Sequence, residues 1–215
     1  MAIIVALFVL CAMFSGTYAD PDTLQDICVA DLTSDMKANG YACKNAENVT
    51  AADFVFDGLV KAGMTNNTMG SLVTPANVQK WAALNTQGVS MARIDYAPGG
   101  MNPPHSHPRA TELLTVLEGE LEVGFFTTGN VFINHTLTKG GIVLYPRGLI
   151  HFQKNNADVP AVALSAFNSQ LPGTQNTAFT LFTSSPSVSD DVLTKAFQIG
   201  SKEVKMIRSK LTPKK

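Results

Sequence analysis

Three of the four histidines of the chain and one glutamate fall in two short segments. His105 and His107 are separated by one residue, Glu112 follows five residues after His107, and His151 comes just after a Pro-x-Gly turn. Imidazole and carboxylate groups are common protein ligands of divalent transition metals. Because residues i and i+2 of a strand point to the same side, the first two imidazoles can share one ion.

Glu112 would face the opposite side of a straight strand, because it lies an odd number of residues beyond His107. The chain must therefore turn, and residues 108–110, which begin with proline, are a plausible turn. We expect Glu112 to return on the next strand beside the imidazoles, with His151 as the fourth ligand. Three nitrogens and one oxygen leave two positions open on a six-coordinate ion, as a catalytic site requires. The donor types alone leave Mn, Fe, Co and Ni open.

Other residues near these segments have simpler interpretations. His135 lies inside an Asn-x-Thr triplet and is interpreted as an ordinary surface or core histidine. Arg109 and Arg147 lie beside the ligands, where they either attract anions or form surface ion pairs within tight turns. Met91 and Phe152 are predicted to line the interior wall of a barrel.

The sequence around the ligands predicts one all-β domain. From Val89 onward, short apolar or alternating runs are interrupted by Gly, Pro and Asn, which is typical of a sandwich or barrel. Residues 28–74 mix Asn, Ala, Gly and Thr and predict a loop-rich N-terminal arm. The predicted strands are Val89–Tyr96, Glu112–Leu117, Leu121–Thr127, Val131–Leu137, Ile142–Tyr145, Leu149–Lys154 and Val159–Phe167.

The hydrophobic period changes to that of helices near the C-terminus. Ser187 and Asp190 predict a capping box at the start of one helix. A second helix is predicted after Gly200, since apolar residues recur there at helical spacing. Both apolar stripes need a surface to cover, either the barrel or a neighbouring subunit. The stripes consist of Val192, Leu193, Ala196 and Phe197, and of Val204, Ile207 and Leu211.

The N-terminus predicts export. Residues 3–14 form an almost unbroken apolar run, too short to span a bilayer, and small residues precede an expected cleavage after Ala19. The mature chain, residues 20–215, would then carry only Cys28 and Cys43, which we expect to form a disulfide in an oxidising compartment. Two free buried thiols are the alternative. Nothing later in the sequence is apolar for long enough to anchor the chain in a membrane.

Three Asn-x-Thr triplets, beginning at Asn48, Asn66 and Asn134, are candidate glycosylation sites. Asn66 is favoured, because its Asn-, Thr- and Gly-rich surroundings predict an exposed loop. The net charge of −1 argues against nucleic acid as the main partner, since no basic excess is available to neutralise phosphates. The basic tail of Lys214 and Lys215 is interpreted as a solvated terminus.

Two spaced motifs in this sequence resemble those of plant germins and germin-like proteins, members of the cupin superfamily. The first motif consists of Gly99, His105, His107, Glu112 and Gly119, and the second of Gly140, Pro146, Gly148, His151 and Asn155. The likeness extends over nearly all of the mature chain. It implies a cupin jelly-roll barrel spanning about residues 60–183, a helical part at about 187–211, and one manganese ion on the four ligands. It further implies an N-terminal disulfide, an extracellular or apoplastic location, and a homo-hexamer built as a trimer of dimers.

The resemblance also bears on activity. Germins proper are oxalate oxidases, whereas many germin-like proteins are described as manganese superoxide dismutases or have no assigned activity. In the cereal oxalate oxidases two asparagines near the barrel mouth help to hold the substrate; alignment places Asn85 and Ala92 at these positions. Loss of one buried donor to a dianion would cost about 1.5–3 kcal/mol, which disfavours oxalate turnover.

Three functional hypotheses follow from the residues and the resemblance. The first is a secreted superoxide dismutase with a small anion as substrate and a role in plant defence. The second is an oxalate oxidase, in which the dianion would chelate the ion. The third is a non-enzymatic extracellular binding protein whose metal stabilises the barrel.

Overall fold

The computed structural model describes residues 25–37 and 39–212. Its ten strands, numbered β1 to β10 in chain order, are Ser71–Ala76, Ser90–Tyr96, Met101–Ser106, Glu112–Glu118, Glu120–Phe126, Phe132–Thr138, Ile142–Tyr145, His151–Lys154, Ala161–Phe167 and Gln175–Asn176. They form two antiparallel sheets with the orders β1-β2-β9-β4-β7 and β10-β3-β8-β5-β6. This all-β jelly roll confirms the predicted fold class.

The core lies between the two sheets. Strand β9 shows why, because its residues alternate between buried and partly buried positions, as expected for a strand with one face on a core. The first sheet contributes Leu114 and Tyr145 to the main apolar cluster, and the second contributes Leu121 and Val123. Leu114 and Leu121 are completely buried. This cluster holds the two sheets face to face.

All seven predicted strands are confirmed, with ends that agree to within two residues. Strand β1 was not predicted, because Pro75 and the polar residues around it resemble a loop. The strand lies at the edge of its sheet and pairs only with β2, a position where a proline is tolerated. Strand β3, which carries His105, was not among the predicted strands either, and the two-residue strand β10 was also missed.

The predicted placement of Phe152 in the barrel interior was wrong. His151 points into the barrel, and neighbouring residues of a strand point to opposite faces, so Phe152 lies on the outer face. There its ring packs near that of Phe132, with centroids 5.8 Å apart. Gln153, completely buried, takes the interior position instead. Met91 lines a cavity that also contains His105 and His107 in its wall, and its side chain is partly exposed.

The N-terminal arm is loop-rich, as predicted, and contains two short 3-10 helices, Ala46–Asn48 and Ala51–Phe54. A third, Ala82–Leu84, follows β1. The predicted disulfide is present between Cys28 and Cys43. Beside it, Val29 is buried, so the arm is fastened covalently and by packing.

Three helices follow the barrel: α1 (Thr177–Phe182), α2 (Asp190–Phe197) and α3 (Ser201–Leu211). The last two were predicted, although α2 begins after Ser189 and its N-cap side chain makes no capping hydrogen bond, so the predicted capping box at Ser187 was wrong. Leu193 of the first stripe packs with the second stripe, Val204, Ile207 and Leu211, and with Phe182 of α1. The other residues of the first stripe, Val192, Ala196 and Phe197, are exposed. In the part of the chain that the structure describes, no helix is long and apolar enough to cross a membrane.

The predicted signal peptide, residues 1–19, and the basic tail, Lys214 and Lys215, lie outside the described residues. Both interpretations stay predictions.

Candidate metal centre

Four side chains from both sheets converge at one end of the barrel. His105 on β3 is paired directly with His151 on β8, so their side chains share the inner face of the second sheet. His107 follows the end of β3, and Glu112 begins β4 in the first sheet. The chain turns at residues 108–109 between them, as the sequence predicted. The ligand atoms of all four residues lie within 4.8 Å of one another.

Hydrogen bonds to the backbone hold each imidazole in one orientation. The Nδ1 atom of His105 lies 2.8 Å from the carbonyl oxygen of Pro103, and that of His151 lies 2.9 Å from the carbonyl oxygen of Leu149. His107 Nδ1 makes the same kind of bond to the carbonyl of Gly173. A carbonyl can only accept, so each Nδ1 carries the proton and each Nε2 presents its lone pair.

Glu112 lies between the imidazoles and is held from its other side. Its Oε2 atom is 3.0 Å from Nε2 of both His107 and His151. Its Oε1 atom accepts a hydrogen bond of 2.6 Å from the hydroxyl of Ser165 on β9. Ser165 is completely buried and was not singled out from the sequence. Its inward position in an otherwise apolar strand face, shared with Ala163 and Phe167, is the signal that could have identified it.

The protonation states of these groups suit a cation. Burial lowers the pKa of His105 to about 4, and the neighbouring His151 acts in the same direction, so this imidazole is neutral near pH 7. Burial alone would raise the pKa of Glu112, but the imidazoles of His107 and His151 close to its carboxylate lower it below its usual value. Metal binding requires imidazoles in the neutral form, and in that form the three histidines and one carboxylate are a set of ligands with one negative charge.

These donors fit a divalent transition metal. Ligands at adjacent positions around an ion with bonds of about 2.1 Å lie about 3 Å apart. The two 3.0 Å separations at Glu112 match that spacing. Each imidazole carries its proton on Nδ1, so Nε2 and the carboxylate oxygen both present lone pairs. A cation bound between them explains why they lie so close together. The four residues thus form a metal-binding site.

A cavity of about 380 Å³ opens onto this site. His105, His107 and Glu112 line it, so a small molecule in the cavity has access to the metal position. Most of the remaining wall is apolar, including Ile94 and Phe167.

The expected substrate contact of Asn85 is not supported by its position. Asn85 is completely buried, but it is absent from the cavity wall. Its amide nitrogen donates to the Tyr41 carbonyl, and its amide oxygen accepts from the Tyr41 backbone N–H. It therefore fastens the N-terminal arm. Ala92 does line the cavity, as expected. The asparagines that line it are Asn77 and Asn102, and sequence reasoning missed both.

The two arginines beside the ligands stabilise the turns that carry them. The Nε atom of Arg109 donates to the Leu171 carbonyl, and that of Arg147 donates to the Pro108 carbonyl. Neither forms an ion pair with a described residue, so the predicted ion pairs are absent there. Arg109 also lines the cavity, which places one positive charge at its wall.

The remaining motif residues shape the backbone around the site. Asn155 is completely buried, and its side chain donates to the carbonyls of Ala97 and Val159. Gly148 adopts a positive φ of 78° in the turn before His151, and its N–H donates to the His107 carbonyl. The two motifs are therefore joined by a direct hydrogen bond.

Comparisons with known proteins agree with this geometry. Residues 57–205 match the Cupin family. The chain is 64% identical over 200 residues to Germin-like protein 5-1 of Oryza sativa subsp. japonica, covering 93% of this chain and 90% of that protein. It is 63% identical over 194 residues to the Rhicadhesin receptor of Pisum sativum, covering 90% and 89%. A solved structure of recombinant oxalate oxidase in complex with glycolate matches with a TM-score of 0.88 and 43% identity, covering 90% of this chain and 98% of that one. The chain therefore belongs to the germin-like proteins of the cupin family.

Proposed function

We propose that this germin-like protein binds manganese with His105, His107, Glu112 and His151 and acts as a superoxide dismutase outside the cell. The observation that carries the proposal is the convergence of three Nε2 atoms and one carboxylate beneath a cavity wide enough for a small anion. When bound, manganese would supply two accessible oxidation states, so that one superoxide is oxidised to dioxygen and the next is reduced to hydrogen peroxide.

The protein residues contribute position and charge. The backbone carbonyls that accept from each Nδ1 hold the imidazoles in the orientation that a metal needs. The ligands carry one negative charge, so a site filled by a divalent cation is positive and attracts an anion. Arg109 at the cavity wall acts in the same direction. The two protons required for peroxide come from solvent, which reaches the site through the cavity.

A dismutase assay on purified, manganese-loaded protein tests the proposal. We expect activity in the wild type, and its loss in His107→Ala. His135→Ala is the matched control, because His135 is exposed on β6 and lies outside the metal site. A wild-type sample that is fully loaded with manganese and inactive would contradict the proposal.

Oxalate oxidation is a second candidate, because a structure of that enzyme matches over 98% of its length. Ala92, which is buried and lines the cavity, offers no hydrogen bond to a dianion. We expect Ala92→Asn to raise the rate of peroxide release from oxalate about tenfold or more, since a hydrogen bond to a charged group contributes about 1.5–3 kcal/mol. An equally low rate in wild type and variant, both fully loaded, would argue against this role of position 92.

A binding function is the third candidate. The name of the pea relative, Rhicadhesin receptor, describes a binding protein at 63% identity. In that case a loaded protein without activity would still melt at a higher temperature than the chelated protein.

We further propose secretion to the apoplast, a role in plant defence, and assembly as a hexamer. The disulfide supports an oxidising compartment. The asparagines of the three candidate glycosylation triplets, Asn48, Asn66 and Asn134, are all exposed, which supports their use as acceptors.

A further inference from the structure

An apolar patch lies on the outer face of the second sheet, away from the metal centre. Three phenylalanine rings form it: Phe126 and Phe132 have centroids 4.8 Å apart with planes at 19°, and Phe152 adjoins them at 5.8 Å and 20°. Phe132 is 41% exposed and Phe126 is 37% exposed. Large exposed aromatic clusters are unusual on a soluble surface and usually have something to cover them.

An acceptor triplet lies on the same face of the same strand. Phe132, Asn134 and Thr136 are at i, i+2 and i+4 of β6, so their side chains point to the same outer side. Asn134 and Thr136 are exposed. The asparagine of a glycosylation triplet therefore stands beside the aromatic rings, about 7 Å along the strand from Phe132.

Gly124 leaves space beside Asn134. It lies directly opposite Asn134 on β5, and a side chain built there would collide with the Phe132 ring, at 2.5 Å, and approach the Asn134 Cβ, at 3.2 Å. The ring of Phe132 thus lies over Gly124, the residue of β5 that faces Asn134. A group attached to the Asn134 amide is therefore within reach of this ring.

We propose that Asn134 carries an N-linked glycan whose first sugar packs against the aromatic cluster of Phe126, Phe132 and Phe152. This inference rests on the proposed entry into the secretory pathway and reverses the preference for Asn66. The donor is a lipid-diphosphate-linked oligosaccharide: a bond forms between Asn134 Nδ2 and the anomeric carbon of the first sugar. The bond from that carbon to the diphosphate oxygen breaks, the diphosphate leaves with the electron pair, and the amide loses one proton to the transferase.

The chemistry of an N-acetylglucosamine ring suits this surface. One face of a pyranose carries mainly C–H groups and is apolar, so it can cover an aromatic surface while its hydroxyls stay in water. The transfer occurs on the unfolded chain, and the location of Asn134 in a strand does not prevent it. Once the sheet has formed, the sugar would shield the Phe132 ring on the edge strand β6, and the two rings beside it, from other chains.

The experiment uses the full chain secreted from yeast, which attaches oligomannose glycans. Glycopeptide mass spectrometry measures occupancy at Asn48, Asn66 and Asn134. In a parallel sample a yeast leader replaces residues 1–19. If only this sample is exported, the proposed location is contradicted, while glycosylation of Asn134 can still be measured on the exported protein. We expect high occupancy at Asn134 in the exported chain. An unmodified Asn134 in exported protein would overturn the inference, and the patch would then be open to another chain.

Thermal melting tests the packing. We expect Asn134→Gln to melt about 2 °C or more below the wild type. Trimming the glycan enzymatically to its first sugar should leave the melting temperature of the wild type unchanged. Asn66→Gln is the matched control and should melt like the wild type. The difference between glycosylated and Asn134→Gln protein should persist in a Phe132→Tyr background and disappear in Phe132→Leu. A difference that is absent in wild type, or that persists in Phe132→Leu, would overturn the proposed contact.

Discussion

At the scale of single residues, the metal site depends on side chains that are not themselves ligands. The two imidazoles contact only one oxygen of Glu112, Oε2, so without a further contact the carboxylate could rotate. The hydroxyl of Ser165 fixes its second oxygen at 2.6 Å, and this bond lies entirely inside the barrel. Groups that orient a ligand in this way contribute strongly to metal affinity.

Ser165→Ala should therefore weaken metal binding while keeping all four ligands. We expect a loss of about tenfold in manganese affinity, measured by competition with a chelator. Ser90→Ala is the matched control: Ser90 also lines the cavity, but its hydroxyl donates to the Ser169 carbonyl and not to a ligand. Equal affinities in the two variants would show that Ser165 does not position Glu112.

At the scale of elements, turns bring the two motifs together. The turn before β8 places Gly148 against the backbone of His107, which follows β3. Another glycine turn, at Gly140 before β7, has a similar positive φ but carries no ligand. In both cases a Cβ would meet no atom within 4 Å, so only backbone strain opposes a substitution.

This pair of turns separates stability from metal binding. Gly148→Ala and Gly140→Ala should each lower the free energy of unfolding by about 1–2 kcal/mol, since an L-residue is strained at positive φ. Urea denaturation of the metal-free proteins measures this loss. Only Gly148→Ala should also weaken manganese binding, because its turn positions His151. If Gly140→Ala weakened binding equally, the effect would come from general destabilisation.

At the scale of the whole molecule, the metal site joins the two sheets. His105 and His151 belong to one sheet and Glu112 to the other, so an ion held by all of them adds a link between the sheets that the unfolded chain lacks. A ligand that binds only the folded state raises stability with its concentration.

Removal of the metal should therefore lower the melting temperature. With free manganese at about 100 times the dissociation constant, binding contributes about 2.7 kcal/mol, and we expect chelation to lower the melting temperature by about 5–10 °C. Calorimetry of loaded and chelated protein measures the shift. His135→Ala should show the same shift and His151→Ala a much smaller one. A shift of full size in His151→Ala would mean that the metal binds elsewhere.

The ligands and most of the barrel could be predicted from sequence because their signals are local. Alternation with period 2 identified the strands, and proline and glycine marked the turns that return Glu112 and His151 to the imidazoles. Asn102 could not be found in this way. Strict alternation from His105 would place it on the opposite face, but the pairing of β3 with β8 shifts between these two residues, and Asn102 lines the cavity.

The sequence by itself determined the four ligands, the all-β class and the disulfide pair, since each depends on residue type and short spacing. Only the tertiary structure decided which residues act on those ligands and which surface lies beside Asn134. Ser165 is 53 residues from Glu112, and the Gly173 carbonyl is 66 residues from His107. Contacts across such distances depend on the register of several strands, and short-range patterns carry no information about register between distant strands.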